Sequence, residues 1–405
     1  MNYFSSTVRG ISWMGLLKIF MRGIGFIRLA ILARILTAKE FGIFGIAGMV
    51  LLFLEKITET GINVFLIQEK KDMENYLDTA FFVSVVRGLA LTLLILILTP
   101  FIALFFNTPE AIPSLLLISL VPLIRGFINP VIVKFKKRLE FGKDFALRST
   151  LFFIDALVAI LATLILRSAV GLVLGILVSA LAEVIISQIL VLPRPRLRFE
   201  KVKFKKVIAR GKWVTAAEFL EFLSTNIDDV VVGRILGSTF LGYYQMAYKV
   251  SELPLTEISQ VAGQVTFPVY SKISKDKRLL KKTFYRTSFG VVTLSSFLGL
   301  VIFFFAPIIV EILLGNSWSV TVPIIRLLSI FGIVKAASYP SFSLFLAVKR
   351  QDFVMKVVLV TFITLAILIL PFVAFYGLAG AASAVVISVC VSVPLIVYYL
   401  KYILS

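Results

Sequence analysis

Long apolar runs, each closed by a short charged loop, recur from one end of this chain to the other. They lie near 11–33, 41–66, 80–106, 112–133, 146–166 and 170–192, and again near 211–236, 240–267, 284–313, 320–347, 354–375 and 378–403. Runs of this length match the roughly 20 residues that a helix needs to cross a bilayer. They are continuous rather than alternating, and too long for the strands of a membrane barrel. A soluble fold has too little interior to hide them. Hydrophobic residues make up 59% of the 405 positions, against roughly 45–50% in soluble domains, and the mean hydropathy is +1.01. The expected fold is an all-α polytopic membrane protein of about twelve transmembrane helices.

The loops carry an orientation signal. Those at 67–79, 134–148, 193–212, 268–286 and 348–356 hold 27 Lys and Arg between them. The opposite set holds only Arg34, Lys39, Arg167 and Arg234. Basic loops stay on the cytoplasmic side, so both termini are expected in the cytoplasm of a cell whose inner membrane the chain crosses. The same asymmetry supports the count of twelve, because one helix more or fewer would scramble the alternation. It also accounts for the net charge of +20 without nucleic acid, which is not an expected partner. The loop at 193–212 opens on two prolines and continues in a basic–apolar pattern, suited to lying on anionic lipid.

Several chemistries are excluded. One cysteine, Cys390, sits inside an apolar run, so there is no intramolecular disulfide and no cysteine-built metal site. There is no histidine, which removes the commonest general base and proton shuttle. No loop of the outside set is long enough to hold a folded domain, and no compact group of carboxylates stands out. The chain is not expected to be an enzyme or to bind a cofactor. Its first apolar stretch lacks a small-residue cleavage site and reads as a retained helix rather than a signal peptide.

A short stretch occurs twice. Residues 33–47 read ARILTAKEFGIFGIA and residues 233–247 read GRILGSTFLGYYQMA. Arg34, Ile35, Leu36, Gly42 and Ala47 return as Arg234, Ile235, Leu236, Gly242 and Ala247, 200 positions on without a gap. Each copy lies between two apolar runs, so each half opens with the same helical hairpin. Self-similarity at a long fixed offset marks a duplicated architecture. The expected division is an N-terminal six-helix bundle over 1–192, a basic linker over 193–210 and a C-terminal six-helix bundle over 211–405. Six crossings per half make the repeats parallel, related by an axis along the membrane normal.

Charges inside membrane spans cost about 2.5–3.5 kcal/mol each on the insertion scale, so they face cavities or pair with one another. The first half carries Lys18, Arg22, Arg28, Glu55, Lys56, Glu59, Arg125, Asp155 and Glu183 within its spans. The second carries Glu218, Glu221, Asp228 and Asp229 along one acidic face, then Lys249, Glu252, Glu257, Glu311, Arg326 and Lys335. By the 200-residue offset Lys18 answers to Glu218 and Arg28 to Asp228, so the duplicated helix is basic in one half and acidic in the other. Two explanations compete. In one, the basic half holds an anionic group and the carboxylates Asp155, Glu218, Glu221, Asp228 and Asp229 bind a coupling cation or gate. In the other, these charges pair between the two halves or snorkel to the headgroups. Snorkelling is expected for Arg87 and Lys335, near the cytoplasmic ends of their spans. Tyr243, Tyr244, Gln245, Tyr248 and Asn226 are suited to sugar contacts, but their place near a membrane boundary fits an interfacial belt better.

Further stretches carry a family resemblance. ARILTAKEFGIFGIA, NIDDVVVGRILGSTFLGYYQMAYKVSELP at 226–254, VTFPVYSKIS at 265–274, and APIIVEILLGNSW with PIIRLLSIFG over 306–332 resemble the polysaccharide-exporter branch of the MATE-like (MOP) flippase superfamily. These are Wzx-type proteins, including the colanic-acid exporter type, and the resemblance covers essentially the whole chain. It implies two six-helix bundles around a central V-shaped cavity open to one side at a time. It implies movement of an undecaprenyl- or related polyprenyl-pyrophosphate-linked oligosaccharide from the cytoplasmic to the outer leaflet, with polysaccharide-assembly proteins as candidate partners. Related murein-precursor flippases hold the pyrophosphate with basic residues on the first helices. The matching positions are Lys18, Arg22, Arg28 and Lys56, with Arg125 added from its depth in the membrane. Arginine suits a diphosphate because its planar fork binds two phosphate oxygens. The coupling ion, Na⁺ or H⁺, is left open. The alternative within the superfamily is a multidrug or organic-cation antiporter, against which the arginines of the first half argue.

Overall fold

The computed structural model describes residues 21, 23–58, 73–137, 140–198, 200 and 222–404. Lys18, Arg22, Glu218, Glu221 and most of the basic linker lie outside the described residues. The described parts of the apolar runs are helical but for short breaks and ends, and no strand occurs among the described residues. Seven helical stretches among them are long and apolar enough to cross a bilayer. They carry large apolar side chains on their surfaces, with Ile165 and Phe375 each 81% exposed. Such a surface suits lipid, and together with the spans it makes this an integral membrane protein. The chain divides into two units, Met1–Leu223 and Ser224–Ser405.

The first unit opens with α1 (23–35), followed by α2 (Ala38–Ile57) and α3 (Met73–Phe105). A 3₁₀ turn at Pro109–Ala111 leads into α4 (Ile112–Ile118) and α5 (Leu120–Gly126). After a second 3₁₀ turn at Pro130–Val133 come the short α6 (Lys134–Lys137), then α7 (Phe141–Leu166) and α8 (Ala169–Leu190). The expected run at 112–133 is therefore broken, at Ser119 and again at Phe127–Asn129. Buried Asn129 holds the second break. Its side chain accepts from the Val131 N–H at 3.0 Å and donates to the carbonyls of Val191 and Pro193 at 3.0 and 3.3 Å.

The second unit holds α9 (222–236) from Ser224 onward, α10 (Ser238–Ser251), α11 (Leu253–Ile273), α12 (Lys277–Leu313) and, after a 3₁₀ turn at Asn316–Thr321, α13 (Val322–Ala347). The expected run at 240–267 parts at Glu252, where Pro254 enters the first turn of α11. Proline is tolerated there because a first-turn N–H has no helical partner to lose. The last element, α14 (Gln351–Leu404), is two helices meeting at Gly377, whose φ is 56°. A Cβ on Gly380 would lie 1.8 Å from the carbonyl oxygen of Phe372. Residues eight apart in one continuous helix are about 12 Å apart along the axis, so the chain doubles back at Gly377. The first unit makes the same hairpin between α7 and α8: Arg167 has φ 48° and a Cβ on Gly171 would meet the Thr163 backbone at 2.7 Å. In each, a left-handed residue turns the chain and a glycine a few residues on lets the two arms touch.

The duplicated stretch has one local structure in both units. In the first, α1 ends before Thr37 and α2 begins at Ala38; in the second, α9 ends before Gly237 and α10 begins at Ser238. The two caps use different chemistry. Thr37 is extended and its hydroxyl accepts from the Glu40 N–H at 3.4 Å. Gly237 adopts φ 87°, a conformation that lacks a penalty only without a Cβ. Glu40 also reaches across its unit, accepting from the Ala169 N–H at 2.5 Å. It thereby caps α8, whose own Ser168 makes no side-chain cap. Within the helices, hydroxyls such as those of Ser251 and Ser259 bond back to the carbonyls of Ala247 and Leu255, so their burial leaves no donor unmet.

Candidate functional site

In the first unit, α3 and α5 cross at glycines. A Cβ on Gly88 would fall 2.4 Å from the Pro122 carbonyl oxygen, and one on Gly126 would fall 2.8 Å from that of Ser84. This backbone-to-backbone approach, typical of small residues in membrane helix packing, carries the neighbouring Arg87 and Arg125 to the C-terminal end of α2. There Arg87 donates to the Glu55 carbonyl at 2.5 Å and to the Thr58 hydroxyl at 3.0 Å. Arg125 donates through Nη1 to both carboxylate oxygens of Glu55, at 2.9 and 2.8 Å. Cations at a helix C-terminus also meet the negative end of its dipole. Arg87 does not simply snorkel, because its guanidinium is spent on the end of α2.

Arg125 is only partly committed. Its Nε–H and Nη2–H₂ make no hydrogen bond among the described residues, and its side chain is 40% exposed. The Nε–Nη2 edge is one that can bind two oxygens of a carboxylate or phosphate side by side. Arg28, on α1, is by contrast closed off. It forms an ion pair with Asp155 on α7 in which both side chains are mostly buried. Gly175 of α8 makes that pair possible, since a Cβ there would meet the Asp155 carbonyl oxygen and Oδ1, each at 2.7 Å. Asp155 Oδ1 itself has no hydrogen-bond partner among the described residues. Lys56 is half-buried beside Glu55.

Glu183, two turns beyond Gly175 on α8, completes this set. It is half-buried and accepts no hydrogen bond among the described residues. Arg148 is held by Asp144 at 3.0 and 2.9 Å. An apolar groove of about 430 Å³, lined by Ile132, Phe135, Lys143, Leu147, Ile186 and Leu190 among others, is lined by none of these intramembrane charges.

The second unit carries a different network, built across the hairpin of the duplicated stretch. Buried Asp228 on α9 accepts from the Tyr244 hydroxyl at 2.9 Å, and Asp229 accepts from the Gln245 amide at 2.9 Å. Both bonds span 16 residues, so adjacent carboxylates on α9 are met by adjacent side chains on α10. Tyr248 packs edge-on against Tyr244 and Phe331, with centroids at 5.4 and 5.9 Å. Glu252 then accepts from Lys335 of α13 at 2.5 Å, and the same ammonium lies 5.1 Å from the Phe331 ring. Two expectations are corrected here. Tyr244 is fully buried in the unit rather than standing in an interfacial belt, because its hydroxyl has a carboxylate to bond. Tyr243 packs edge-on against buried Trp318 at 5.6 Å. Lys335 does not reach for the headgroups, because Glu252 and Phe331 hold it within the unit.

Of the residues proposed from sequence for anion binding, Arg28, Lys56 and Arg125 fall together in the first unit. The carboxylates Asp228 and Asp229 fall together in the second, while Asp155 belongs to the first. Residues not placed in a site by sequence are Glu55, Thr58, Arg87 and Glu183. For the three charged ones the signal was the opposite charge at matching depth on different apolar runs.

The helical hairpins, the glycine crossings and the charges buried among apolar helices define a polytopic membrane protein of the transporter kind. The fold is similar to that of the lipid II flippase MurJ in an inward closed conformation, with TM-score 0.75 at 18% identity over 96% of this chain and 87% of that one. It is also similar to an inward-facing multidrug resistance MATE family transporter of the MOP superfamily, with TM-score 0.72 at 13% identity over 94% of each chain. Residues 31–323 match the polysaccharide biosynthesis protein family, and the chain belongs to that family. Among its relatives, the lipopolysaccharide biosynthesis protein WzxC of Escherichia coli K12 is 24% identical over 360 residues, 88% of this chain and 73% of that protein. The teichuronic acid biosynthesis protein TuaB of Bacillus subtilis is 23% identical over 354 residues, 85% of this chain and 71% of that protein. The Wzx-type, MOP-superfamily resemblance read from the sequence is borne out by these matches.

Proposed function

We propose that this protein is an alternating-access flippase that carries a polyprenyl-pyrophosphate-linked oligosaccharide from the cytoplasmic to the outer leaflet for surface polysaccharide assembly. The observation that carries this is Arg125. It is an arginine in the last turn of α5, oriented by Glu55 and keeping a two-donor edge uncommitted, in a family of polysaccharide biosynthesis proteins. A diphosphate supplies oxygens for such an edge, and a medium of low dielectric strengthens the bond. Lys18, Arg22 and Lys56 are the further cations of this site, Arg28 joining them only when it leaves Asp155, and the polyprenyl tail stays in the lipid.

In this proposal about twelve spans form two six-helix bundles, over 1–192 and 211–405, joined by the basic linker 193–210. They enclose a V-shaped cavity in the inner membrane, with both termini cytoplasmic. Asp228 and Asp229, with Glu218 and Glu221, serve coupling to Na⁺ or H⁺ or gating, and Asp155 holds Arg28. Polysaccharide-assembly proteins are its partners. The multidrug antiporter alternative shares the fold, but the arginines of the first unit favour an anionic cargo.

The test is made in a strain lacking its own exporter of this type, supplied with the chain and its glycan pathway. Arrival of lipid-linked oligosaccharide at the outer leaflet is compared for wild type, Arg125→Ala and Arg22→Ala. Transport by wild type and its loss in the variants at equal membrane abundance is expected. Efflux of cationic drugs without glycan transport would overturn the proposal.

A further inference from the structure

The groove of about 430 Å³ in the first unit joins two chemistries. Ile132, Phe135, Ala146, Leu147, Ile186 and Leu190 build an apolar wall from the second 3₁₀ turn, α6, α7 and α8. Leu190 on that wall is 72% exposed, so the groove opens on the surface of the helices. Ser187 in the lining is already satisfied: it accepts from the Asn129 N–H at 3.1 Å and donates to the Val184 carbonyl at 2.9 Å. The charged member of the lining is Lys143. Its ammonium lies 2.7 Å from Glu140 and 5.8 Å from the centre of the Phe135 ring, with the side chain 65% exposed. An exposed pair of this kind holds weakly, and an ammonium has further donors to give.

A second cation stands at the same end. The chain turns between α7 and α8 at Arg167, and Lys143 and Val191 are equally far from it in sequence, so Lys143 is level with the end of α8. Arg194 follows there. Its Nε donates to the Gln188 carbonyl at 3.1 Å, and its two Nη groups make no hydrogen bond among the described residues. Over 134–148 Lys and Arg outnumber Asp and Glu by six to two, and of those acids Asp144 is matched by Arg148. An apolar trough with cations at one end is complementary to an amphiphile with an anionic head. Basic pockets between membrane helices bind lipid headgroups in this way.

We propose that this groove binds an anionic phospholipid, with one acyl chain along the apolar wall and the phosphate between Lys143 and Arg194. The lipid comes from the leaflet on the side of the 134–148 loop, cytoplasmic in the orientation proposed above. Arg28, Lys56 and Arg125 do not line the groove, so its occupant is a resident lipid and not the transported one. The lipid bridges the second 3₁₀ turn and α6 to the α7–α8 hairpin, and so ties down that end of the first unit. The inference stands whether or not the cargo is a glycolipid.

The test places a thiol in the groove wall, Ala146→Cys, in a full-length chain whose native thiol is removed by Cys390→Ser. The protein is held in phosphatidylcholine nanodiscs with phosphatidylglycerol added stepwise, and its modification by a neutral, water-soluble maleimide is timed. Ile189→Cys, on the last turns of α8 and outside the lining, corrects for the effect of surface charge on any thiol. Phosphatidylglycerol should slow modification at Ala146→Cys severalfold more than at Ile189→Cys. Lys143→Gln and Arg194→Gln should each raise the phosphatidylglycerol fraction that half-protects roughly fivefold, the weight of one cation beside an anionic lipid surface. Equal slowing at the two thiols, or a rate at Ala146→Cys that ignores phosphatidylglycerol, overturns the proposal. So does full protection in the double variant Lys143→Gln with Arg194→Gln. Glycerol 1-phosphate, a headgroup without chains, should protect nothing; protection by it would leave a surface anion site and no lipid groove. A prenyl diphosphate that protects at a lower fraction than phosphatidylglycerol would assign the groove to the cargo's tail and overturn the resident lipid.

Discussion

Gly88 and Pro122 meet backbone to backbone: a Cβ on Gly88 would stand 2.4 Å from the Pro122 carbonyl oxygen. With Gly126 against Ser84, this contact brings Arg87 and Arg125 to α2, so the charged site depends on a position that carries no functional group. Gly88→Ala should therefore destabilise the protein by about 3 kcal/mol, the upper end of ordinary overpacking, because a main chain cannot move aside as a side chain can. Gly48 in α2 has nothing within 4 Å of its added Cβ. Gly48→Ala should be neutral or stabilise by up to about 1 kcal/mol, since alanine loses less backbone entropy in a helix. Thermal unfolding of both variants in the same detergent checks the opposite signs. Equal melting temperatures would show that α3 and α5 do not approach as described.

Glu55 and Arg125 predict an asymmetry. Glu55→Gln keeps an acceptor for one Arg125 donor but removes the charge, so the guanidinium loses its fixed orientation. Glycan transport should fall severalfold with little change in abundance. Arg125→Lys keeps the charge and loses the planar fork, so it should be the more damaging of the two. Outer-leaflet arrival of the glycan, normalised to protein in the membrane, is the readout. Full transport by Arg125→Lys would remove the two-oxygen edge from the proposed mechanism.

Asp228 and Tyr244 separate a structural role from a coupling role. Asp228→Asn retains an acceptor for the Tyr244 hydroxyl and should fold normally. Asp228→Leu leaves that hydroxyl buried without a partner and should destabilise by about 1–3 kcal/mol. If Asp228 serves coupling, Asp228→Asn should keep binding the glycolipid but lose the dependence of transport on a Na⁺ or H⁺ gradient, assayed in vesicles. A variant that responds to the gradient as wild type does would make Asp228 structural only.

The helices were legible from sequence because each expresses one local rule, an apolar run long enough to span a bilayer. The duplicated hairpin was legible because Thr37 and Gly237 both interrupt such runs at the same register. Pro254 and Pro130 also carried their message locally, yet two expected runs proved broken there, since length outweighed punctuation in drawing them. The charged sites were only half legible. That Arg28, Arg125 and Asp155 needed partners followed from their depth. Which partners they take did not, because Arg28 meets Asp155 across 127 residues and Arg125 meets Glu55 across 70. Those pairings are fixed by the glycines at 88, 126 and 175, whose meaning appears only when the facing helix is known. Tyr244 misled for the same reason, as an aromatic near a membrane boundary whose acceptor lies on the preceding helix.

Lys335 and Glu252 give a pair whose strength can be measured without reference to transport. Glu252 is mostly buried and lies close enough to Asp228 and Tyr248 to feel both, so removing its cation leaves several acidic or polar groups facing one another. Lys335→Met should therefore destabilise the protein. The lysine side chain is 36% exposed, which lets water screen the loss and keeps it near about 1–3 kcal/mol, below that of a fully buried pair. Glu252→Gln alone should be milder, since the ammonium keeps the Phe331 ring and an amide oxygen. The double change should recover most of the single loss, because replacing both partners removes the unpaired charge. A double-mutant cycle on thermal or denaturant stability reads the coupling directly. Additive losses, with no recovery in the double variant, would mean that the two side chains do not interact in the folded protein.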